Sequence, residues 1–129
     1  MNKKETFLAN RIKSIGYAFK GALFLLKTEP SIKVQFAIGI TVTAAGFYYQ
    51  ISTTEWLIQC LAIGLVISIE GINTAIEEMA NFIHPEHHKK IGIIKDIAAG
   101  AVFLAAVFAI VAGLIIYIPK IFKILLPLG

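Results

Sequence analysis

The stretch LAIGLVISIEGINTAIEEMANFI, residues 61–83, begins like a membrane-spanning helix and then carries carboxylates where apolar residues are expected. Its polar residues Glu70, Asn73, Thr74 and Glu77 stand at i, i+3, i+4 and i+7. That spacing places them on one helical face about two turns long. A charge near mid-membrane costs about 2.5–3.5 kcal/mol on insertion scales, so this face predicts a functional site. The structural alternative is a polar seam between helices, with the glutamates protonated or paired with lysines.

The composition supports the membrane setting of that stretch. The chain has 129 residues, of which 57% are hydrophobic and only 16% charged, and its mean hydropathy is +0.78. A soluble domain of this length has too small an interior to bury so much apolar surface. An integral membrane protein is therefore predicted, and its single cysteine, Cys60, excludes an internal disulfide.

Three apolar segments predict an all-α integral membrane fold made of one domain. The predicted transmembrane helices cover residues 31–51, 56–83 and 94–118, with Pro119 ending the third and residues 119–129 forming a tail. Residues 1–28 are predicted to form an amphipathic helix on the membrane surface. In that helix Lys13, Lys20 and Lys27 recur every seven residues and share a face, which suits contact with lipid phosphates and water. A plain surface anchor explains the same pattern.

The basic residues predict the orientation of these spans. Seven of the 12 lysines and arginines precede Val34, where the apolar core of the first span begins, none lies between the first two spans, and three lie between the second and third. Because positively charged loops stay in the cytoplasm, the N-terminus, the second link and the acidic face near it are predicted to be cytoplasmic.

Other polar residues are predicted to lie at the same membrane boundary as the acidic face. Glu29 lies between the surface helix and the first span, and Lys95 and Asp96 stand near the start of the third. Asp96 has a simpler interpretation as a cap of that helix. Carboxylates beside a lysine suit Mg²⁺ with phosphates, and a further carboxylate can accept the proton of an attacking hydroxyl. No G-x-x-x-x-G-K-[ST] loop is present, and a small proton-coupled transporter would use membrane glutamates equally well.

Three motifs resemble those of one known family. EGINTAIEEMANFI, the IKDIAAGAV segment after it, and IKSIGYAFKG near the N-terminus are similar to the prokaryotic diacylglycerol kinase family, which includes undecaprenol kinases. The likeness covers about residue 10 to about residue 118. It implies a homotrimeric bundle in the inner membrane of a bacterium, with a surface helix and three spans per subunit. It also implies transfer of phosphate from Mg²⁺-bound ATP to a membrane lipid alcohol, either diacylglycerol or undecaprenol, and no nucleic-acid partner.

The resemblance assigns roles to individual residues. It implies that Glu70 is the general base at the lipid hydroxyl, that Asn73 assists it, and that Glu29 and Glu77 hold the metal. The nucleotide-contacting positions it implies are Tyr17, Glu29, Glu77, Glu86, His87, His88, Lys95 and Asp96. Lys13 and Lys20 match the region lining the lipid entrance. Asn81 departs from the pattern, because the family usually has an acid there. The alternatives are a proton-coupled transporter and a non-catalytic membrane subunit.

Overall fold

The computed structural model describes residues 3–126, with side chains from residue 6, and over this range the chain forms four helices. They are α1 (Lys3–Thr28), α2 (Pro30–Tyr48), α3 (Thr53–Ile83) and α4 (Lys89–Leu125). The predicted all-α class is confirmed. Of the helices described, α3 and α4 are long and apolar enough to cross a membrane. This is the architecture of a helical integral membrane protein.

The first predicted span corresponds to α2, which is shorter than predicted. Its 19 residues extend about 28 Å, close to the roughly 30 Å of a hydrocarbon core, but Lys33 and Gln35 lie in its first two turns. The helix ends at Tyr48, so the predicted extension to Ile51 is wrong. Gln50 has a φ of 50°, a left-handed conformation that the α-helix does not contain.

Proline chemistry sets the junction between α1 and α2. The residue before a proline is driven away from the helical region, and Glu29, before Pro30, has φ −97° and ψ 111°. One residue therefore separates the two helices, and Glu29 stands at the joint. Every described side chain of α1 before Leu25 is exposed. Leu25 itself meets α3, because a Cβ on Gly71 would lie 3.0 Å from Leu25 Cδ1.

The remaining helices start with side-chain caps. Ser52 and Glu55 form a reciprocal capping box at the start of α3, in which Glu55 N donates to Ser52 Oγ over 3.2 Å and Ser52 N donates to Glu55 Oε1 over 2.9 Å. His88 caps α4 by accepting from Lys90 N at 3.1 Å. Asp96 is therefore well inside α4, and its predicted role as the helix cap is wrong.

The end of α4 also differs from the prediction. Pro119 was expected to end the helix, but α4 continues through it to Leu125. Proline removes the hydrogen bond to the carbonyl four residues earlier, so the segment after it needs other support. Lys120 Nζ lies 2.9 Å from Glu55 Oε2 and anchors that segment to the start of α3.

Helix α3 is central and packs on both α4 and α2. Close approach depends on small residues, since a Cβ on Gly39 of α2 would lie 3.2 Å from Ile63 Cγ2 of α3. Ala80, Ala98 and Ala105 are the buried alanines of the α3–α4 pair. The bundle thereby holds the predicted acidic face of α3 against α2, with the link of residues 84–88 at one end and the turn of residues 49–52 at the other.

Candidate active site

Glu70 is a buried carboxylate near the middle of α3. It is 8% exposed and lies 13 residues, about 20 Å, from the last residue of the helix. Its partner is uncharged: Gln35 Nε2 of α2 lies 3.4 Å from Glu70 Oε2, a long hydrogen bond. Thr74 donates to the Glu70 carbonyl oxygen at 3.1 Å, so its hydroxyl serves the helix backbone.

The next turn of α3 pairs an amide with a second carboxylate. Asn73 Nδ2 donates to Glu77 Oε1 at 3.4 Å. Asn73 Oδ1 is buried and has no hydrogen-bond partner. Buried amide oxygens are usually satisfied, so an orphan beside a carboxylate marks a position where a donor or a cation fits. The predicted face of Glu70, Asn73 and Glu77 is thus present, with Glu70 and Asn73 buried and Glu77 half-buried.

The oxygen-rich donor set fits a magnesium ion better than a softer metal. Mg²⁺ takes oxygen ligands and commonly uses one or two carboxylates together with substrate phosphates. Glu77 and Asn73 offer such oxygens, and Glu29 is half-buried without a capping hydrogen bond. Within residues 6–126, no three histidine, cysteine, aspartate or glutamate side chains form a group that could hold a metal ion. A complete coordination shell would therefore need further oxygens, from water, a bound phosphate or another subunit.

A cation lies closer to the 84–88 link. Lys95 Nζ of α4 donates to Asn81 Oδ1 of α3 at 2.6 Å, and the lysine is half-buried. Asn81 is neutral, so it fixes the position of the Lys95 ammonium group without neutralising its charge. Asp96, the next residue, is exposed.

Two of the three histidines in the link of residues 84–88 make local contacts. His84 Nδ1 lies 2.8 Å from the carbonyl oxygen of Glu86, and the His84 and His88 rings are 5.1 Å apart. The predicted nucleotide-contacting residues Glu86, His87 and His88 are all exposed, while His88 also caps α4. They therefore line the open end of the bundle.

The α1 residues stand apart from this cluster. Lys13, Tyr17 and Lys20 are exposed, and Tyr17 reaches 72%. None of them hydrogen-bonds or pairs with a residue of the acidic face within the described part of the chain. A single subunit does not bring these positions together with Glu70.

Sequence reasoning missed Gln35, the residue that touches the candidate base. The signal available was that Gln35 is the single amide within the apolar stretch of residues 34–49, which is uncommon enough to mark a buried contact. Its partner could not be named, because 35 positions separate it from Glu70 and the contact depends on how α2 is rotated against α3.

Comparisons with known proteins agree on one family. The sequence model of the family described as Prokaryotic diacylglycerol kinase matches residues 16–117. The undecaprenol kinase of Bacillus subtilis is 38% identical over 109 residues, covering 84% of this chain and 89% of that protein. A diacylglycerol kinase of Synechocystis is 27% identical, over 90% of this chain and 67% of the relative. The diacylglycerol kinase of Escherichia coli is 23% identical, over 90% and 95%.

Proposed function

The chain belongs to the prokaryotic diacylglycerol kinase family and is a lipid kinase, and from that premise we propose that it transfers the terminal phosphate of Mg²⁺-bound ATP to the hydroxyl of a membrane lipid alcohol. The observation that carries the site assignment is the buried Glu70 carboxylate, held by the neutral Gln35 rather than by a cation. A carboxylate without a paired positive charge keeps its capacity to accept a proton.

The reaction needs few groups from the protein. The lipid hydroxyl oxygen bonds to the terminal phosphorus of ATP, the bond from that phosphorus to the bridging oxygen breaks, and ADP leaves. Glu70 accepts the hydroxyl proton in the same step, which is general-base catalysis. Asn73 lies one turn away and fixes the Glu77 carboxylate.

Metal and nucleotide are proposed to bind beyond Glu70, toward the 84–88 link. Glu29 and Glu77 would hold Mg²⁺, which neutralises phosphate charge when bound. Lys95 carries an uncancelled positive charge suited to the phosphates. The remaining proposed nucleotide contacts are Tyr17, Glu86, His87, His88 and Asp96, and Lys13 and Lys20 are proposed to line the lipid entrance.

The preferred lipid is proposed to be a polyprenol such as undecaprenol. Identity is 38% with an undecaprenol kinase, against 27% and 23% with the two diacylglycerol kinases. A side-by-side assay in the same detergent, with undecaprenol and diacylglycerol at matched mole fraction, tests this. Equal or higher kcat/KM on diacylglycerol would reverse the assignment.

The proposed setting is the cytoplasmic membrane of a bacterium. The N-terminus and the 84–88 link would face the cytoplasm, since six of the 12 lysines and arginines precede α2 and Lys89 and Lys90 directly follow the link. Helix α2 would cross the membrane together with α3 and α4, giving three spans per subunit, and three subunits would share the sites between them. The transporter alternative is not favoured by the family match.

Glu70→Gln tests the base directly. The variant keeps the size of the side chain and loses the proton acceptor, so we expect lipid phosphorylation to fall by at least about 10²-fold, with little change in the KM for ATP. Glu78→Gln is the matched control, because Glu78 is exposed on the same helix. Phosphate transfer from radiolabelled ATP to lipid is the measurement, and unchanged turnover in Glu70→Gln would remove Glu70 from the mechanism.

A further inference from the structure

An apolar groove runs between α2, α3 and α4. It has a volume of about 480 Å³, and its walls are almost entirely aliphatic, including Ile38 of α2, Ile67 of α3 and Ile110 of α4. Taking about 30 Å³ for a group the size of water, it holds roughly 16 such groups. The lining of α4 from residue 106 to residue 117 extends about 16 Å along the helix. These dimensions suit a segment of a single hydrocarbon chain.

The groove is polar at its two ends. At the end toward residues 49–52, Tyr117 Oη lies 2.5 Å from Gln59 Oε1 and 3.1 Å from the Val42 carbonyl oxygen. Gln59 Nε2 donates to the same carbonyl at 3.3 Å, and Gln59 is only 5% exposed. Each of these three groups already has a hydrogen-bond partner within the network.

Gln35 forms the opposite end of the groove, and one of its polar atoms lacks a hydrogen-bond partner. Gln35 lines the groove, and its Nε2 lies 3.4 Å from Glu70 Oε2. Its Oε1 is buried and has no hydrogen-bond partner. The buried oxygen without a partner therefore belongs to the residue that touches the carboxylate assigned as the base.

We propose that this groove holds the hydrocarbon chain of the lipid substrate, and that Gln35 is a positioning residue that orients Glu70 toward the lipid hydroxyl at the groove's end. The inference rests on the proposed function. With Gln35 Nε2 donating to Glu70 Oε2, the other carboxylate oxygen is left to accept the hydroxyl proton. The groove would then hold the hydrocarbon chain of the lipid, and Glu70 at the end of the groove would hold its hydroxyl.

Variants that fill the groove test whether it binds the hydrocarbon chain of the lipid. Gly113 lines the groove and a Cβ there would meet no atom within 4 Å, so Gly113→Leu is expected to add bulk to the groove wall. We expect kcat/KM for a long-chain alcohol to fall at least about tenfold, with a much smaller change for a short-chain alcohol and none in the KM for ATP. Ala109→Ile, a smaller change in the same wall, should give the same pattern more weakly. Gly64→Leu is the control, because Gly64 has equal space and lies outside the groove.

Replacing Gln35 tests the positioning role. Gln35→Met keeps the side-chain length and removes both polar atoms, so kcat should fall about tenfold or more for long and short alcohols alike. A merely structural role would instead lower the thermal midpoint or raise the KM for ATP. Unchanged kcat in Gln35→Met would overturn the positioning role.

Two outcomes of the groove variants contradict the proposal. If Gly113→Leu and Ala109→Ile change long and short alcohols equally, the chain does not lie in the groove. If they lower the oligomer mass in mild detergent without a chain-length effect, the groove holds a second copy of the chain. Either result leaves wild-type kinase activity intact, whereas failure of the proposed function would appear as no phosphate transfer by the wild-type protein.

Discussion

At the residue scale, Glu70 lies buried in the middle of a hydrophobic helix with one neutral hydrogen-bond partner and no opposite charge. Burying a carboxylate is costly unless it is hydrogen-bonded, and a salt bridge would also reduce its basicity. Gln35 supplies one donor, and the single ion pair within the described residues joins Lys120 and Glu55 at the other end of the bundle. The neutral partner leaves the carboxylate without a paired positive charge, as the proposed base requires.

Glu77 should be sensitive to magnesium. Glu77→Gln removes one ligand charge from the proposed metal site, so we expect the Mg²⁺ concentration for half-maximal activity to rise, with the KM for lipid little changed. A magnesium titration at fixed ATP and lipid measures this, and Glu78→Gln serves as control on the same helix. A Glu77→Gln enzyme with the wild-type magnesium dependence would exclude Glu77 as a ligand.

Asn81 sets the charge that Lys95 presents. Asn81→Asp puts a carboxylate in place of the amide oxygen that lies 2.6 Å from the ammonium, and so cancels much of its charge. The family usually has an acid at this position, so Asn81→Asp should keep wild-type activity or raise it. If Lys95 binds phosphates, Asn81→Ala, which removes its hydrogen-bond partner, should raise the KM for ATP several-fold while kcat changes less, on the scale of about 1 kcal/mol for one hydrogen bond. An unchanged KM in Asn81→Ala would place Lys95 away from the nucleotide.

At the element scale, local chemistry decides where the helices begin and end. Pro30 forces the break at Glu29, and side-chain caps start α3 and α4. The break matters because it holds Glu29 at the joint of two helices, next to the point where Leu25 packs against Gly71. At the other end of the bundle, the ion pair of Lys120 with Glu55 ties the segment after Pro119 to the start of α3. There α4 continues past the proline instead of ending at it.

The capping box of α3 should contribute measurably to stability. Ser52→Ala removes the acceptor for Glu55 N, and loss of such a cap costs about 0.5–2 kcal/mol. Thermal unfolding in detergent, followed by circular dichroism, should show a lowered midpoint. Thr54→Ala, at an exposed position in the same turn that takes no part in the capping box, should leave the midpoint close to wild type. Equal midpoints for Ser52→Ala and wild type would mean that the helix start does not limit unfolding.

At the scale of the whole molecule, one subunit leaves its proposed site open. The α1 residues Lys13, Tyr17 and Lys20 make no polar contact with the acidic face, and no cluster of three metal-binding side chains forms within residues 6–126. Exposing carboxylates to lipid is costly, so other copies of the chain are the natural cover. Small residues around Gly100 would let a neighbouring helix approach, and a Cβ there meets no atom of its own subunit within 4 Å.

The open site predicts assembly with other copies of the chain, and the resemblance to the family sets the expected number at three. Native mass measurement in mild detergent should give three times the 14.1 kDa chain, and chemical cross-linking should stop at the three-chain species. Gly100→Leu should shift the distribution toward monomer and lower activity in parallel. A monomer with full kinase activity would contradict the shared site.

Contacts between residues on the same helix could be predicted from the sequence, whereas contacts between residues on different helices could not. The face of Glu70, Asn73 and Glu77 was predictable because helical periodicity alone puts residues four and seven apart side by side. The Asn73–Glu77 contact is of this kind. Composition and the motifs likewise sufficed for the membrane class and the family, because neither depends on packing.

Only the tertiary structure decided which residues meet across helices. Gln35 with Glu70, Lys95 with Asn81, and Tyr117 with Gln59 are separated by 35, 14 and 58 positions, and each contact requires a particular rotation and register of two helices. The same reason explains two wrong expectations. Asp96 does not cap α4 because His88 starts the helix earlier, and Pro119 does not end it because packing against α3 and the Lys120–Glu55 pair outweigh one lost backbone hydrogen bond.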